Sequence, residues 1–397
     1  VIRTRITTKG QIEILNTGQS VFVGEGAGAS DDLSTNNNVF IGYLSGTTCT
    51  TGAYNSAIGT QSLRSNTIGS WNTAIGNGAI YSNTTGDANT AVGHYALYTN
   101  TVGFQNTAIG TQSLYLNTSG ISNVAGGHLA LYSNTSGGYN TALGTSALSY
   151  NTTADFNTAI GRRALWLNST GTQNVAVGAS ALENNTTASY NAAFGTNALT
   201  SNTTGASNSG FGTDALFTNT TGTMNTAIGA NALYFNSTAS YNVAVGNGAL
   251  YINTTGQYNA ALGYQSLYNN GTSSYNIGIG SKALYTNQTG SNNTAVGVHA
   301  LYTFSGNLRN TAFGYYAGDT WANSNYCTFI GATADADAAG YSNSTALGDA
   351  ATITASNQVR IGDNGVTSIG GYAAWTNLSD GRYKNQIQNN MHGLDFI

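Results

Sequence analysis

Apolar, small and polar residues recur along this chain with a period of 17, not with the period of 2 or 3.6 that marks a lone strand or helix. Asparagine stands at 38, 55, 72 and every seventeenth position to 310, seventeen times without an insertion. The glycine four residues later keeps the step for nineteen occurrences, from Gly42 to Gly348. Loops tolerate insertions and stacked coils in contact do not, so the strict register predicts a solenoid whose chain returns to the same place once per repeat. We number each coil from its asparagine, as in Asn89 to Gln105, N-T-A-V-G-H-Y-A-L-Y-T-N-T-V-G-F-Q.

In this numbering position 4 is bulky and apolar (Ile58, Ile75, Val92, Ile109, Leu143, Ile160), and position 9 is Leu from Leu63 to Leu301 except at Ile80. These two columns are the expected interior. Position 3 is Ala or Gly from Ala57 to Ala312, position 5 is Gly, and position 8 is Ala or Ser. Neighbours in a strand alternate faces, so positions 3 and 5 are expected opposite position 4, on a flat, small surface where a second subunit's backbone approaches. Two short strands, around positions 1 to 5 and 8 to 12, would fill the coil, with a single helical turn as the alternative for the second. Position 12, Asn from Asn66 to Asn287, opens a T-T-G or S-T-A stretch with the composition of a tight turn. Asn there tolerates positive φ and can form an amide ladder from coil to coil. Aromatics at position 10 (Tyr81, Tyr98, Tyr115, Tyr132, Trp166) and position 17 (Trp71, Tyr139, Phe156, Tyr190) predict stacked ladders, which also make sugar-binding surfaces.

Composition changes the picture in three ways. Charged residues are 7% of the chain, so the surface is polar but nearly uncharged, and a net charge of −4 gives no footprint for nucleic acid or an anionic membrane. Proline is absent, as expected where backbone N–H groups are needed for strand pairing. No apolar run is long enough to insert in a membrane, and Val1 is not an initiator methionine, which predicts a processed or incomplete N-terminus. Cys49 and Cys327 lie more than sixteen coils apart, about 80 Å, so they cannot pair within one chain.

Candidate chemistry is sparse. Asp87 and Asp155 are four coils apart, about 19 Å, where glycosidase carboxylates need about 5 to 9.5 Å. His94 and His128 are two coils apart, about 10 Å, too far to share a metal. Arg162, Arg163, Glu183, Asp214 and Lys282 read as isolated surface charges. No cofactor or metal set is expected. All position-12 asparagines from Asn83 to Asn287 except Asn100 head an N-x-S/T triplet, either a glycan acceptor or a by-product of turn composition.

After Gly348 the period breaks. V-R-I-G-D-N-G-V-T-S-I-G-G at 359–371 is followed by W-T-N-L-S-D-G-R-Y-K-N-Q-I at 375–387 and H-G-L-D-F-I at the end. The S-D-x-R-x-K pattern resembles the entry to the endosialidase-type intramolecular chaperone of phage tail fibres, tailspikes and bacterial surface fibres. That resemblance implies a self-cleaving dyad with Ser379 as nucleophile and Lys384 as base, Asp380 after the cut and Arg382 as the motif's arginine. The chain stops at Ile397, so nearly all of such a chaperone would be missing. The N-T-A-I-G core is similar to the N-S-x-A-x-G of the β-roll heads of trimeric autotransporter adhesins, and both resemblances imply a homotrimer.

The expected organisation is an all-β, β-solenoid (β-roll) fibre of about nineteen 17-residue coils in a parallel homotrimer. Residues 1–37 would form a cap or attachment segment, 38–350 the shaft, 351–374 a closing segment and 375–397 the start of the chaperone. The expected function is an extracellular tail fibre or adhesin on a virion or bacterial surface, binding a cell-surface receptor or glycan, with no activity beyond the C-terminal self-cleavage. A polysaccharide-degrading tailspike enzyme and a self-assembling extracellular filament subunit are the alternatives.

Overall fold

The computed structural model of the chain describes residues 3–6, 12–15, 19–319 and 324–370. Twenty-one three-residue strands, from Val21–Val23 to Val359–Ile361, form one continuous parallel sheet in which each strand pairs only with those of the preceding and following coils. The register is the 17-residue repeat itself: Thr73 pairs with Thr90, Ala74 with Ala91 and Ile75 with Val92. It also continues past the strict repeat, through an 18-residue step from Val21 to Val39 and a 14-residue step from Thr345 to Val359. At one strand spacing per coil the ladder extends on the order of 100 Å. A separate antiparallel pair joins Arg3–Ile6 to Ile12–Leu15.

The fold is the expected all-β parallel solenoid, and the position-9 column, Leu63 to Leu301, is interior as expected, but the two faces of the strand are the reverse of those expected. The position-3 residues Ala57, Ala74, Ala91 and Ala108 are fully buried, whereas Ile58 is 41% and Ile109 52% exposed at position 4. The small-residue column is therefore core and cannot be a subunit face. Alternation along the strand holds; the phase is inverted because the coil is too narrow for two bulky columns. A Cβ at Gly210, in position 3, would lie 3.4 Å from Leu199 Cδ1 of the preceding coil, so only Ala or Gly fits opposite the leucine. Where position 9 is Gly, a Phe at position 3 of the same or the following coil takes the space. The ring of Phe22 fills the space over Gly28, that of Phe40 the space over Gly46, and Phe329 lies against Gly318 in the coil before it. These exchanges roughly conserve volume between two facing positions.

The second expected strand is absent from most coils. Positions 6 to 11 form consecutive turns, with strand only at Ile252–Asn253 paired to Asn269–Gly271 and at Asp335–Ala336 paired to Thr352–Ile353. The left-handed conformation expected of Asn falls instead on positions 7, 9 and 17, as at Gln61 (φ 56°), Leu63 (φ 49°) and Trp71 (φ 58°). A left-handed leucine costs about 1–2 kcal/mol, but it lets positions 8 and 9 point inward together, and burying the leucine returns about as much. Position 5 is Gly for two reasons. Its φ is near +135°, and a Cβ there would meet the next coil's carbonyl, as at Gly110, 2.6 Å from the oxygen of Gly127.

Backbone N–H groups alternate in direction around the coil. Gly59 donates back to Ile41 while Leu63 donates forward to Ala79, so turns as well as strands are tied to both neighbouring coils. Proline would remove one of these bonds almost anywhere it was placed.

Two asparagine ladders complete the core. At position 1, the N–H of Asn106 donates to Asn89 Oδ1 at 3.0 Å, and its Nδ2 donates to Asn89 Oδ1 at 3.2 Å and to the Gly120 carbonyl at 2.8 Å. At position 12, Asn117 Nδ2 donates to Asn100 Oδ1 at 2.8 Å and to the same Gly120 carbonyl at 3.1 Å. Both columns are fully buried, so the amide ladder is present, inside the coil instead of on an exposed turn. The cysteines stand in these columns: Cys49 precedes Asn66 at position 12, and Cys327 follows Asn310 at position 1. Both are buried free thiols, and burial pushes Cys49 up to about 11.

Candidate functional site

Buried ladders leave little inside the coil for chemistry, so candidate surfaces are found among the outward columns. The largest is the outward face of the long sheet. Positions 2 and 4 from Val21 to Ile361 carry Thr, Val, Ile, Leu, Phe, Ala, Ser and Gly, and no charged residue. Position 4 is the more apolar: Val23, Ile41, Ile75, Leu143, Ile160, Phe211 and Ile228 are between 36% and 46% exposed, and Phe313 reaches 59%. The face thus carries an apolar band at position 4, interrupted at Gly126, beside a threonine-rich column at position 2.

The aromatic columns stack as expected. At position 10, Tyr81, Tyr98, Tyr115 and Tyr132 follow one another at centroid distances of 4.8, 5.3 and 5.3 Å, and a second run leads from Phe217 to Tyr302. At position 17, Tyr241, Tyr258 and Tyr275 stack at 4.8 and 5.2 Å. Spacing near 5 Å is set by the strand separation, so the rings stack because the coils do.

Between the two position-10 runs the column breaks. Ser149 takes the place of a ring, followed by Trp166, Glu183 and Thr200. A cavity of about 350 Å³ opens at Ser149, walled by Tyr132 and Trp166 and lined also by Gln112, Ser133, Ser146, Tyr150 and Arg163. Arg163 and Glu183, expected as isolated charges, form an ion pair at 3.3 Å, and the Arg163 guanidinium lies 4.8 Å from the Trp166 ring centre. Sequence spacing hides this pair because 20 residues is one coil plus three.

The other sequence candidates take structural places. Asp87 Oδ1 accepts the Ser70 N–H at 2.7 Å and Asp155 Oδ1 the Gly138 N–H at 2.6 Å, each one coil back. The same position-16 side chain does this as serine, Ser189 Oγ accepting the Thr172 N–H at 3.0 Å. His94 packs on Tyr95 at 3.8 Å between ring centres, and no group of three His, Cys, Asp or Glu able to hold a metal occurs among the described residues. Asp319, half-buried and facing Asp335, is pushed up to about 6, first by desolvation and then by that second carboxylate. Lys282 lies 5.7 Å from the Tyr285 ring, and Asp214 accepts from Asn197 Nδ2 at 3.0 Å. Asn83, Asn117, Asn134 and the other position-12 sequon asparagines are fully buried and hydrogen-bonded, which leaves no room for a glycan in the folded coil. Ser379, Asp380, Arg382 and Lys384 lie outside the described residues.

No helix among the described residues is long and apolar enough to cross a membrane. No protein-family model matches the chain, and no curated protein matches it.

Proposed function

We propose that the chain is the shaft of a homotrimeric extracellular fibre, of the tail-fibre or surface-adhesin kind, that spans to and attaches at a cell surface. The observation that supports this reading is the apolar position-4 band on a charge-free face running along a ladder on the order of 100 Å long. A monomeric soluble protein rarely exposes more than a few hundred Å² of contiguous apolar surface, and some twenty half-exposed Ile, Val, Leu and Phe side chains amount to on the order of 1,000 Å². A copy of the same chain fits this face best. Its side chains repeat at the same coil spacing, so contacts made on one rung can be made on all of them. The subunit face is thus assigned to the Thr/Ile/Val columns in place of the alanine column.

Light scattering tests the reading. The chain is expected to have three times its monomer mass at micromolar concentration, and Ile75→Asn, Ile109→Asn, Ile160→Asn and Ile228→Asn together are expected to give a monomer that keeps its β circular dichroism. A wild-type monomer would sink the trimer. A folded fourfold variant that stays trimeric would move the interface elsewhere.

A further inference from the structure

We infer that the gap in the aromatic column at Ser149 is a binding slot for one neutral sugar ring. The argument starts from the spacing of the ladder. Successive position-10 rings lie 4.8 to 5.3 Å apart, so a missing ring leaves Tyr132 and Trp166 two rungs, about 10 Å, from each other. On the Trp166 side the slot is narrowed by Tyr150, whose ring meets Trp166 edge to face at 5.5 Å between centres, so a flat ring in the gap would stack on Tyr132 and meet the Tyr150–Trp166 pair on its other side. A pyranose presents C–H groups on its faces and hydroxyls around its rim. The slot has the complementary arrangement, with aromatic walls and polar groups around them.

Those polar groups are free to bind. The hydroxyls of Tyr132, Ser133, Ser146, Ser149 and Tyr150 make no hydrogen bond within the described residues. An aromatic side chain filling the slot would offer them no hydrogen bonds, whereas a sugar rim supplies donors and acceptors to several at once. Arg163, at the edge, already has its charge matched by Glu183, which favours an uncharged ligand over an acidic one. The volume of about 350 Å³ is at the small end for a ligand site and suits one sugar ring. The other interruption does not share these features. At Thr200 the hydroxyl is occupied, donating to the Ser180 carbonyl at 2.9 Å, and one flank is Glu183 instead of a ring.

This slot gives the adhesin reading a receptor chemistry, and rests on that reading only for its biological meaning. The test is titration of the full chain with methyl α-D-galactoside, methyl α-D-glucoside, methyl α-D-mannoside and N-acetylglucosamine, by saturation-transfer NMR and calorimetry. N-acetyl-tyrosinamide serves as the aromatic probe. At least one sugar is expected to bind saturably in the millimolar range. Ser149→Tyr, which puts back the ring that neighbouring coils carry and so preserves the fold, is expected to weaken it at least tenfold, and Trp166→Ala to weaken it similarly. The proposal is overturned if none of the four sugars saturates, if S149Y binds as well as the wild type, or if N-acetyl-tyrosinamide binds more tightly than every sugar. A trimer that binds no sugar sinks the slot alone, and a monomer whose sugar binding S149Y abolishes sinks the trimer alone.

Discussion

Replacing Asn106 by Ala tests whether the buried amide ladder carries stability. Its carboxamide takes part in four hydrogen bonds: from Nδ2 to Gly120 O and Asn89 Oδ1, and to Oδ1 from Asn123 N–H and Asn123 Nδ2. Most partners survive truncation. The Gly120 carbonyl keeps Asn117 Nδ2, Asn89 Oδ1 keeps the backbone N–H of residue 106, and Asn123 Nδ2 keeps the Gly137 carbonyl. The Asn123 N–H loses its acceptor. One orphaned buried donor costs about 1–3 kcal/mol, and the small void with the lost amide bonds adds about 1 more, giving roughly 2–4 kcal/mol. A linear array need not unfold in two states, so the assay is hydrogen exchange resolved by coil, not a global midpoint. Peptides within 89–137 are expected to exchange roughly 30- to 1,000-fold faster, and coils beyond 200 much less so. Gln105→Ala, one residue away on the surface, is expected to change protection by less than about 0.5 kcal/mol. Equal effects of the two substitutions would refute the ladder as a source of stability. Asn106→Asp sharpens the point. At neutral pH its buried carboxylate would face the Gly120 carbonyl and destabilise more than Ala, and protonation restores a donor, so its deficit is expected to shrink as pH falls.

Four further outcomes follow from the same geometry. Gly110→Ala, which forces φ near +134° on an L residue and puts a methyl 2.6 Å from the Gly127 carbonyl oxygen, should cost about 3 kcal/mol or more, read as loss of soluble folded protein. Ala159→Leu should cost about 1–3 kcal/mol by overpacking, and Ile160→Ala, one residue on but facing out, should cost less in a urea titration of the dissociated chain. Cys49 should resist iodoacetamide at pH 8 until the coil is unfolded. Because its folded value is raised to about 11, its contribution to stability is full below the unfolded value near 9 and is lost as pH rises from there towards 11, measurable as a falling midpoint absent in Cys49→Ser. Expression in a glycosylating host should add no glycan at Asn83 through Asn287 in folded material, checked by intact mass.

Period and stacking were legible in the sequence because every coil repeats them, and so were the aromatic ladders and the unpaired cysteines. The leucine interior at position 9 was legible too; the faces of the strand were not, because bulk alone does not mark the interior of so narrow a coil. In a 17-residue coil the leucine nearly fills the cross-section, so the facing strand residue must be Ala and the isoleucine beside it turns outward. The signal was present in the exchanges Phe22 with Gly28 and Phe40 with Gly46, which only facing positions would make. Adjacent inward columns at positions 8 and 9 likewise contradict a strand, where neighbours must alternate. The slot at Ser149 was half visible: the break in the aromatic column can be read from sequence, while the pairing of Arg163 with Glu183 needs the coil geometry.

The central claim is that each 17-residue repeat advances the chain by one strand spacing. Spin labels at Thr60 and Thr213, exposed residues at position 6 of coils nine apart, measure that advance directly. With labelled chains diluted in unlabelled ones, pulsed electron paramagnetic resonance is expected to give a narrow distance distribution near 43 Å, about nine spacings of 4.8 Å. A distribution centred below about 30 Å, or one too broad to have a centre, would contradict the stacked coil.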